Sequence, residues 1–369
     1  VLNWDCDKGM TKSGLIFTRY LYIYDEVRIA LLISLLNQSE SALFWGFELY
    51  YSGFEDELFD LLWKIYYMFY FTLNPGFQEY FMKKQTEKEV CGVPKLISVI
   101  IENLMYRPSN CDVFYMTSFH QSNFDADYGE TIQVILLSKT CKSIDNMVVS
   151  FLQDCFLDDS KKSHYLKKWK QASTSVTNID RMRVIACAYV IHILSLKQGL
   201  TMGKNMFLGQ REEEDLSVYE TMLYMDERTT YRAYKILPLV YKYSIDEENY
   251  LSLFPLERNR VENIRDCYWY HWEYYASFSP VWKERIEKYG GVLNEERKRV
   301  IFEDGSDEEE EFYKNYNYEP DEQKMEIQRK SIQLLVNNKT WTMFYEKFGG
   351  KGLGLFSSSS FKYNSKTVF

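Results

Sequence analysis

Apolar positions recur every three or four residues along most of this chain, and that spacing predicts helices. The densest stretch is ALFWGFELYYSGFEDELFDLLWKIYYMFYF, residues 42–71. At helical period Asp56, Asp60 and Lys64 fall on one stripe, with Leu58, Leu61, Leu62, Ile65 and Phe69 on another. Asp60 and Lys64 also stand in the favourable i,i+4 order. Gly53 and the triplet Asn74-Pro75-Gly76 mark helix ends. The segment therefore predicts a helical hairpin whose apolar faces other helices must cover. It does not read as a membrane span. Glu48, Glu55, Asp56, Glu57, Asp60 and Lys64 interrupt it, and its longest unbroken apolar run is 65–71, against the about 20 residues a span needs.

The same period predicts helices at 18–37, 77–88, 94–106, 131–139, 143–157, 163–171 and 178–197. Further helices are expected near 212–225, 227–243, 256–276, 279–289, 321–336 and 340–347. Residues 18–37 become apolar nearly all round, which implies burial on more than one side. Pro94 suits a first helical turn and Arg107-Pro108 ends that helix, while Ser279, Pro280 and Gly290 bracket another. Two stretches break the pattern: CDVFYMTSF (111–119) reads as a strand or extended connection, and HQSNFDADYGE (120–130) as a loop. A loop at 199–211, a short β-hairpin at 292–302, an acidic turn at 303–312 and a Gly/Ser-rich tail complete the chain.

The fold class that follows is mostly all-α, an irregular stacked-helix or α-solenoid-like array with at most one short β-hairpin. No period of 34 or 40 residues recurs, so named repeat families are not supported. At 369 residues the chain exceeds what one core usually serves. The expected organisation is an N-terminal helical lobe (11–107), a second helical segment opening on an irregular loop (108–200), a C-terminal helical lobe (201–347) and a flexible tail (348–369).

Composition narrows the classes. With 46% apolar and 17% aromatic residues the chain can bury a large core, which excludes wholesale disorder. A net charge of −9 argues against a general nucleic-acid coat and leaves room for a local basic site. The seven cysteines are scattered without a C-x-x-C pair, which fits thiols used as small apolar residues and not a disulfide framework or a structural zinc site. The opening VLNWDCDKGM holds no apolar run of the secretory kind. Enrichment in Tyr, Phe, Ile, Lys and Asn also follows from an A+T-rich genome, so part of the aromatic excess need not be chemistry.

Five places could carry chemistry. The basic, aromatic-interleaved patch is the strongest: Lys161, Lys162, Lys167, Lys168, Trp169 and Lys170, with Arg181 and Arg183 nearby, could meet phosphates while a ring stacks on a base. Its bland alternative is an exposed helix face with Trp169 turned inward. The acidic segment offers Glu308, Glu309, Glu310, Phe312 and Tyr313 to a basic partner surface. CYWYHWEYY (267–275) could cage a cation but suits core packing better. QGLTMGK (198–204) falls one residue short of a phosphate loop and lacks its hydroxyl. His120, Asp125, Asp127 and Glu130 share one loop without matching a calcium pattern. None of the common hydrolase, zinc-protease, kinase or dinucleotide motifs occurs, so no catalytic residue, cofactor, metal or small-molecule substrate is inferred.

LYIYDEVRIALLISLL, the 42–71 block, FSPVWKERIEKYGG and EEEFYKNYNYEPDEQ together resemble an α-helical protein group of mimivirus-like large DNA viruses, a group whose function is not established. The likeness covers about half the chain. It implies a viral origin and a place in the host cytoplasm or a cytoplasmic virus factory, and it transfers no site residue. The leading expectation is a non-enzymatic helical scaffold holding viral or host protein partners in an information-processing complex. One alternative is an RNA- or DNA-associated subunit of viral translation initiation or transcription using the 161–183 patch; another is a minor virion component.

Overall fold

Among its described residues the computed structural model holds eighteen α-helices, a π and a 3-10 turn, and one two-stranded antiparallel sheet. It describes residues 14–118, 129–220, 236–237, 240, 256–303, 307–316, 325–332, 341–350 and 352–353. The fold is thus mostly all-α with one short hairpin. No helix among the described residues is long and apolar enough to cross a membrane.

Helix α1 (Tyr24–Leu36) is buried on nearly every side and packs on α2 (Ser41–Tyr51), which leads through Gly53 into α3 (Glu55–Ile65). Gly53 turns the chain at φ +92° and lies against Pro280, where a side chain would collide. A π-helical turn, Tyr66–Tyr70, extends α3. The ring-laden 42–71 block is core: Trp63 stacks flat on Phe81 at 3.8 Å, and its indole N–H donates to Gln85 Oε1 at 2.8 Å.

The helix expected at 18–37 begins only at Tyr24. Residues 16–24 fold back on themselves, with Thr18 N–H donating to Tyr22 O at 2.8 Å, Tyr24 N–H to Ile16 O at 2.9 Å, and Leu21 at φ +58°. Tertiary contacts hold this turn. Trp282 Nε1 donates to Thr18 O at 3.0 Å and Tyr268 O–H to Leu21 O at 3.2 Å. Local propensity is weak enough for such contacts to override it.

Helices α4 (Phe77–Thr86), α5 (Lys88–Cys91) and α6 (Val93–Met105, with Pro94 in its first turn) follow. The 111–119 segment is not extended: it forms α7 (Asp112–Ser118). Every residue of α7 is buried, so the segment shows no helical period, and a short apolar run of that kind reads equally as strand. Next come α8 (Gly129–Leu137), α9 (Cys141–Cys155), α10 (Asp159–Ser173) and α11 (Ile179–Lys197). Thr140, Asp158 and Asn178 cap the last three by accepting N–H groups of their first turns. The long α11 is buried almost throughout and packs against α7, α8, α9, α10 and the π turn.

An irregular strap, 198–212, crosses to α12 (Glu213–Glu220). The single helix expected over 256–276 is instead a 3-10 turn (Glu257–Asn259), α13 (Ile264–Trp269, capped by Asn263) and α14 (Trp272–Ala276). Two buried charges explain part of the break: Arg258 turns inward to Glu26, and Glu257 N–H donates to Asp25 Oδ2 at 2.7 Å. Helix α15 (Pro280–Lys288) precedes β1 (Val292–Asn294) and β2 (Arg299–Ile301), paired Val292↔Ile301, Leu293↔Val300 and Asn294↔Arg299. Helices α16 (Asp307–Tyr316), α17 (Met325–Ser331) and α18 (Trp341–Phe348) end the regular structure.

Buried apolar side chains from Leu15 to Phe348 form one contiguous core. Two buried ion pairs cross it. Arg19 meets Glu48 at 3.2 Å, and Arg258 meets Glu26 with both side chains essentially inaccessible. The start of the Gly/Ser-rich tail is tied down, since Gly350 bridges to Asn110 and Leu353 N–H donates to Asp112 Oδ2 at 2.8 Å.

Candidate functional site

Helix α10 sorts its own basic residues. Lys161, Lys167 and Lys170 face solvent. Lys162 is half-buried and 3.5 Å from Asp159. Lys168 points inward, its Nζ 3.8 Å from Glu79, and its backbone carbonyl accepts from Gln78 Nε2. Trp169 is 1% exposed, sits edge-on to Tyr189 at 5.3 Å, and donates its indole N–H to Asp145 Oδ1 at 2.7 Å. A ring so enclosed has no face to offer a base. Arg181 is buried close to Asp60, and burial pulls its guanidinium down to about 10. Arg183 is half-buried and engages Asp180 and the Ser138 carbonyl, each at 2.7 Å. Of the eight residues grouped by sequence, three lysines present charge to solvent.

The structure adds neighbours that sequence reasoning missed. Between α9 and α10 lies an open cleft of about 460 Å³ with Lys142 and Lys170 at its rim and Asp145, Leu166, Trp169 and Met182 on its walls. The signal available beforehand was the Thr140 cap, which sets the phase of α9 and puts Lys142, Asp145 and Val149 on adjacent faces.

Next to α10, His192 is buried and neutral. Its Nδ1–H donates to Thr72 O at 2.7 Å, so Nε2 accepts from Tyr165 O–H at 2.9 Å. Burial pushes its pKa down to about 4. This pair joins α10 and α11 to the end of the π segment and serves packing.

The acidic segment is a helix and not a turn. Asp307 and Glu308 to Glu311 occupy the first turns of α16, where carboxylates complement the helix dipole, and all are exposed. Phe312 is fully buried among Trp272, Trp282, Tyr289 and Phe302, with ring centroids 5.1–6.4 Å away. Tyr313 is half-buried and donates to Glu273 Oε1 at 2.8 Å. A partner can therefore reach Glu308, Glu309 and Glu310, while Phe312 belongs to this chain's own core. Of the CYWYHWEYY rings, Tyr268, Trp272, Tyr274 and Tyr275 are buried, Trp269 is half-buried and Tyr270 is exposed.

Beside α16 stands the hairpin. Its cross-strand pair Val292 and Ile301 is 67% and 44% exposed, and Tyr270 nearby is 49% exposed. The hairpin is anchored to the neighbouring helices by the Tyr274 O–H donating to Glu295 at 2.7 Å and by the His271 ring bonding Lys298 O at 2.9 Å. Exposed apolar side chains on an anchored element, with Arg299 on the same strand face, form a surface and not a pocket.

His120, Asp125 and Asp127 lie outside the described residues, as do Lys351 and 354–369 of the tail. Among the described residues no group of three or more His, Cys, Asp or Glu side chains is arranged to hold a metal ion. Comparison with protein-family models, with curated proteins and with solved structures finds no match for this chain. The class that fold and surfaces define is a mostly helical protein with one antiparallel hairpin and a mixed apolar–acidic face.

Proposed function

We propose that this chain is a non-enzymatic helical scaffold that holds protein partners in an information-processing complex of a large DNA virus. One observation carries the reading: the Val292–Ile301 pair is exposed on an anchored hairpin, and the carboxylates of Asp307 to Glu311 are exposed on α16, whose Phe312 packs on Phe302 at the hairpin's end. Exposed apolar side chains on one element and consecutive exposed carboxylates on the next suit a partner segment that is itself apolar and basic. The viral setting, and the host cytoplasm or virus factory as its place of work, rest on the sequence resemblance alone.

Affinity purification from infected cells with mass spectrometry tests this, run on the wild type and on Val292→Asp combined with Glu308→Lys, Glu309→Lys and Glu310→Lys. Loss of stoichiometric polymerase or translation-factor partners in the variant supports the reading. Partners retained in full overturn it, and capsid proteins alone would favour a virion component.

A second reading has its own observation. Lys170 on α10 joins Lys142 at the rim of the α9–α10 cleft, and Lys167 is exposed on the same helix, a basic edge able to follow a phosphate backbone. Binding to single-stranded RNA at low salt that is lost in Lys142→Glu/Lys170→Glu supports it. Unchanged binding, or none, removes it.

A further inference from the structure

Buried arginines in this protein are matched with carboxylates. Arg19 faces Glu48, Arg258 faces Glu26, Arg181 lies by Asp60 and half-buried Arg183 by Asp180. Arg107 departs from the rule. It sits just past the C-terminal end of α6 and is only 7% exposed. Its guanidinium donates to neutral oxygens: Lys204 O at 3.3 Å, Met206 O at 2.7 Å and Asn103 Oδ1 at 3.3 Å. Phe77 and Phe207 press on it at 4.6 and 5.2 Å, and Nε has no hydrogen-bond partner. The nearby Glu102 is committed to Arg211.

Arg107 also lines a cavity of about 260 Å³ between α6 and the 198–212 strap. Asn103, Tyr106, Met202, Gly203 and Lys204 share its wall, and no carboxylate does. The strap backbone is held close there. Gly203 N–H donates to Leu73 O at 2.8 Å, and a side chain at Gly203 would strike Asn74. A buried cation without a counter-charge is costly, and an anion entering beside it removes that cost. Two cationic residues of different kinds line this cavity, one buried and forked, one exposed, a pairing that suits phosphate.

We propose that the cavity bounded by Arg107 and Lys204 is a binding site for a small phosphorylated ligand, its phosphoryl oxygens accepting from the Arg107 guanidinium and the Lys204 ammonium. The volume lies just under the usual range for organic ligands of about 300–1,000 Å³. The site accordingly takes free phosphate or a phosphate monoester with a small organic remainder, not an intact dinucleotide. It owes nothing to the docking face of α16 and the hairpin. The GK pair of QGLTMGK takes part, but with a strap around it and no helix after it.

The test is titration of the full chain with inorganic phosphate and, separately, glycerol 3-phosphate, at constant ionic strength set with chloride, read by thermal shift and by ³¹P line broadening. A saturable response to either is expected. It should weaken at least tenfold in Lys204→Ala, whose side chain is exposed and dispensable for folding, and stay unchanged in the Lys170→Ala control. Arg107→Lys, which keeps charge but loses the fork, should weaken it further. A tighter response to the ester assigns an organic phosphate, and a tighter response to phosphate assigns the free ion. No saturable response to either probe, or one that Lys204→Ala leaves intact, overturns the proposal.

Discussion

Glu26→Gln is the substitution with the largest consequence for the least change of shape. Glu26 on α1 and Arg258 in the 3-10 turn are fully buried and joined side-on, Nε and Nη2 donating to the two carboxylate oxygens, and Arg258 Nη1 also donates to Ser331 O at 2.6 Å. The amide keeps the volume but leaves a buried guanidinium without its counter-charge. The adjacent Asp25 is engaged elsewhere: its Oδ2 accepts from Glu257 N–H at 2.7 Å and its Oδ1 from the Glu26 N–H at 3.0 Å, and burial disfavours its charged form. Breaking a buried pair from one side costs about 3–5 kcal/mol. That is a large part of a total stability of about 5–15 kcal/mol. With about 2.1 cal/mol/K of unfolding entropy per residue over 369 residues, the loss lowers Tm by about 4–6 °C. Urea unfolding followed by circular dichroism measures it. The double variant Glu26→Met/Arg258→Met should recover most of the loss, short of the about 1–3 kcal/mol for the stranded Ser331 carbonyl. A single-variant loss under about 1 kcal/mol, the value of an exposed pair, would refute the reasoning.

Other outcomes follow from the same contacts. Lys167→Glu should change stability by no more than about 0.5 kcal/mol, while Lys168→Glu sets a second carboxylate against Glu79 and should cost several times that; equal effects in urea titration would contradict the inward placement of Lys168. Gly53→Ala meets both a left-handed φ and Pro280, and should cost about 1–3 kcal/mol by thermal denaturation. Acid–base linkage pulls two ways. Asp25, raised to about 7, binds a proton on folding, so its contribution is present below about pH 4 and is lost as pH rises toward 7. His192, lowered to about 4, does the reverse: its contribution is present above its ordinary value near 6.5 and is lost as pH falls toward 4. Asp25→Asn should remove the first slope and keep the second, and two-dimensional NMR should show no His192 titration above about pH 5.

Helices announced themselves wherever one face is polar. The Asp56, Asp60, Lys64 stripe, the Pro94 and Pro280 starts, and the Gly53 and Gly290 ends are properties of neighbouring residues, so they survive without any knowledge of the fold. Even the inward placement of Lys168 and Trp169 was within reach. Both share the arc of α10 that carries Tyr165 and Ala172, and only their being read as a linear basic run hid it.

Sequence by itself determined that this chain is helical, that its rings are core, and that 292–302 turns back as a hairpin, because period, caps and turn residues act over a few positions. Tertiary structure decided the rest. It made 112–118 a helix by burying all its sides, broke 256–276 at the inward turn of Arg258, and drew Phe312 into a cluster of rings from Trp272 to Phe302. It also left Arg107 beside Lys204 without a carboxylate. Which charges meet, and which ring is covered, depends on segments up to 264 residues apart, and no local pattern encodes such a distance.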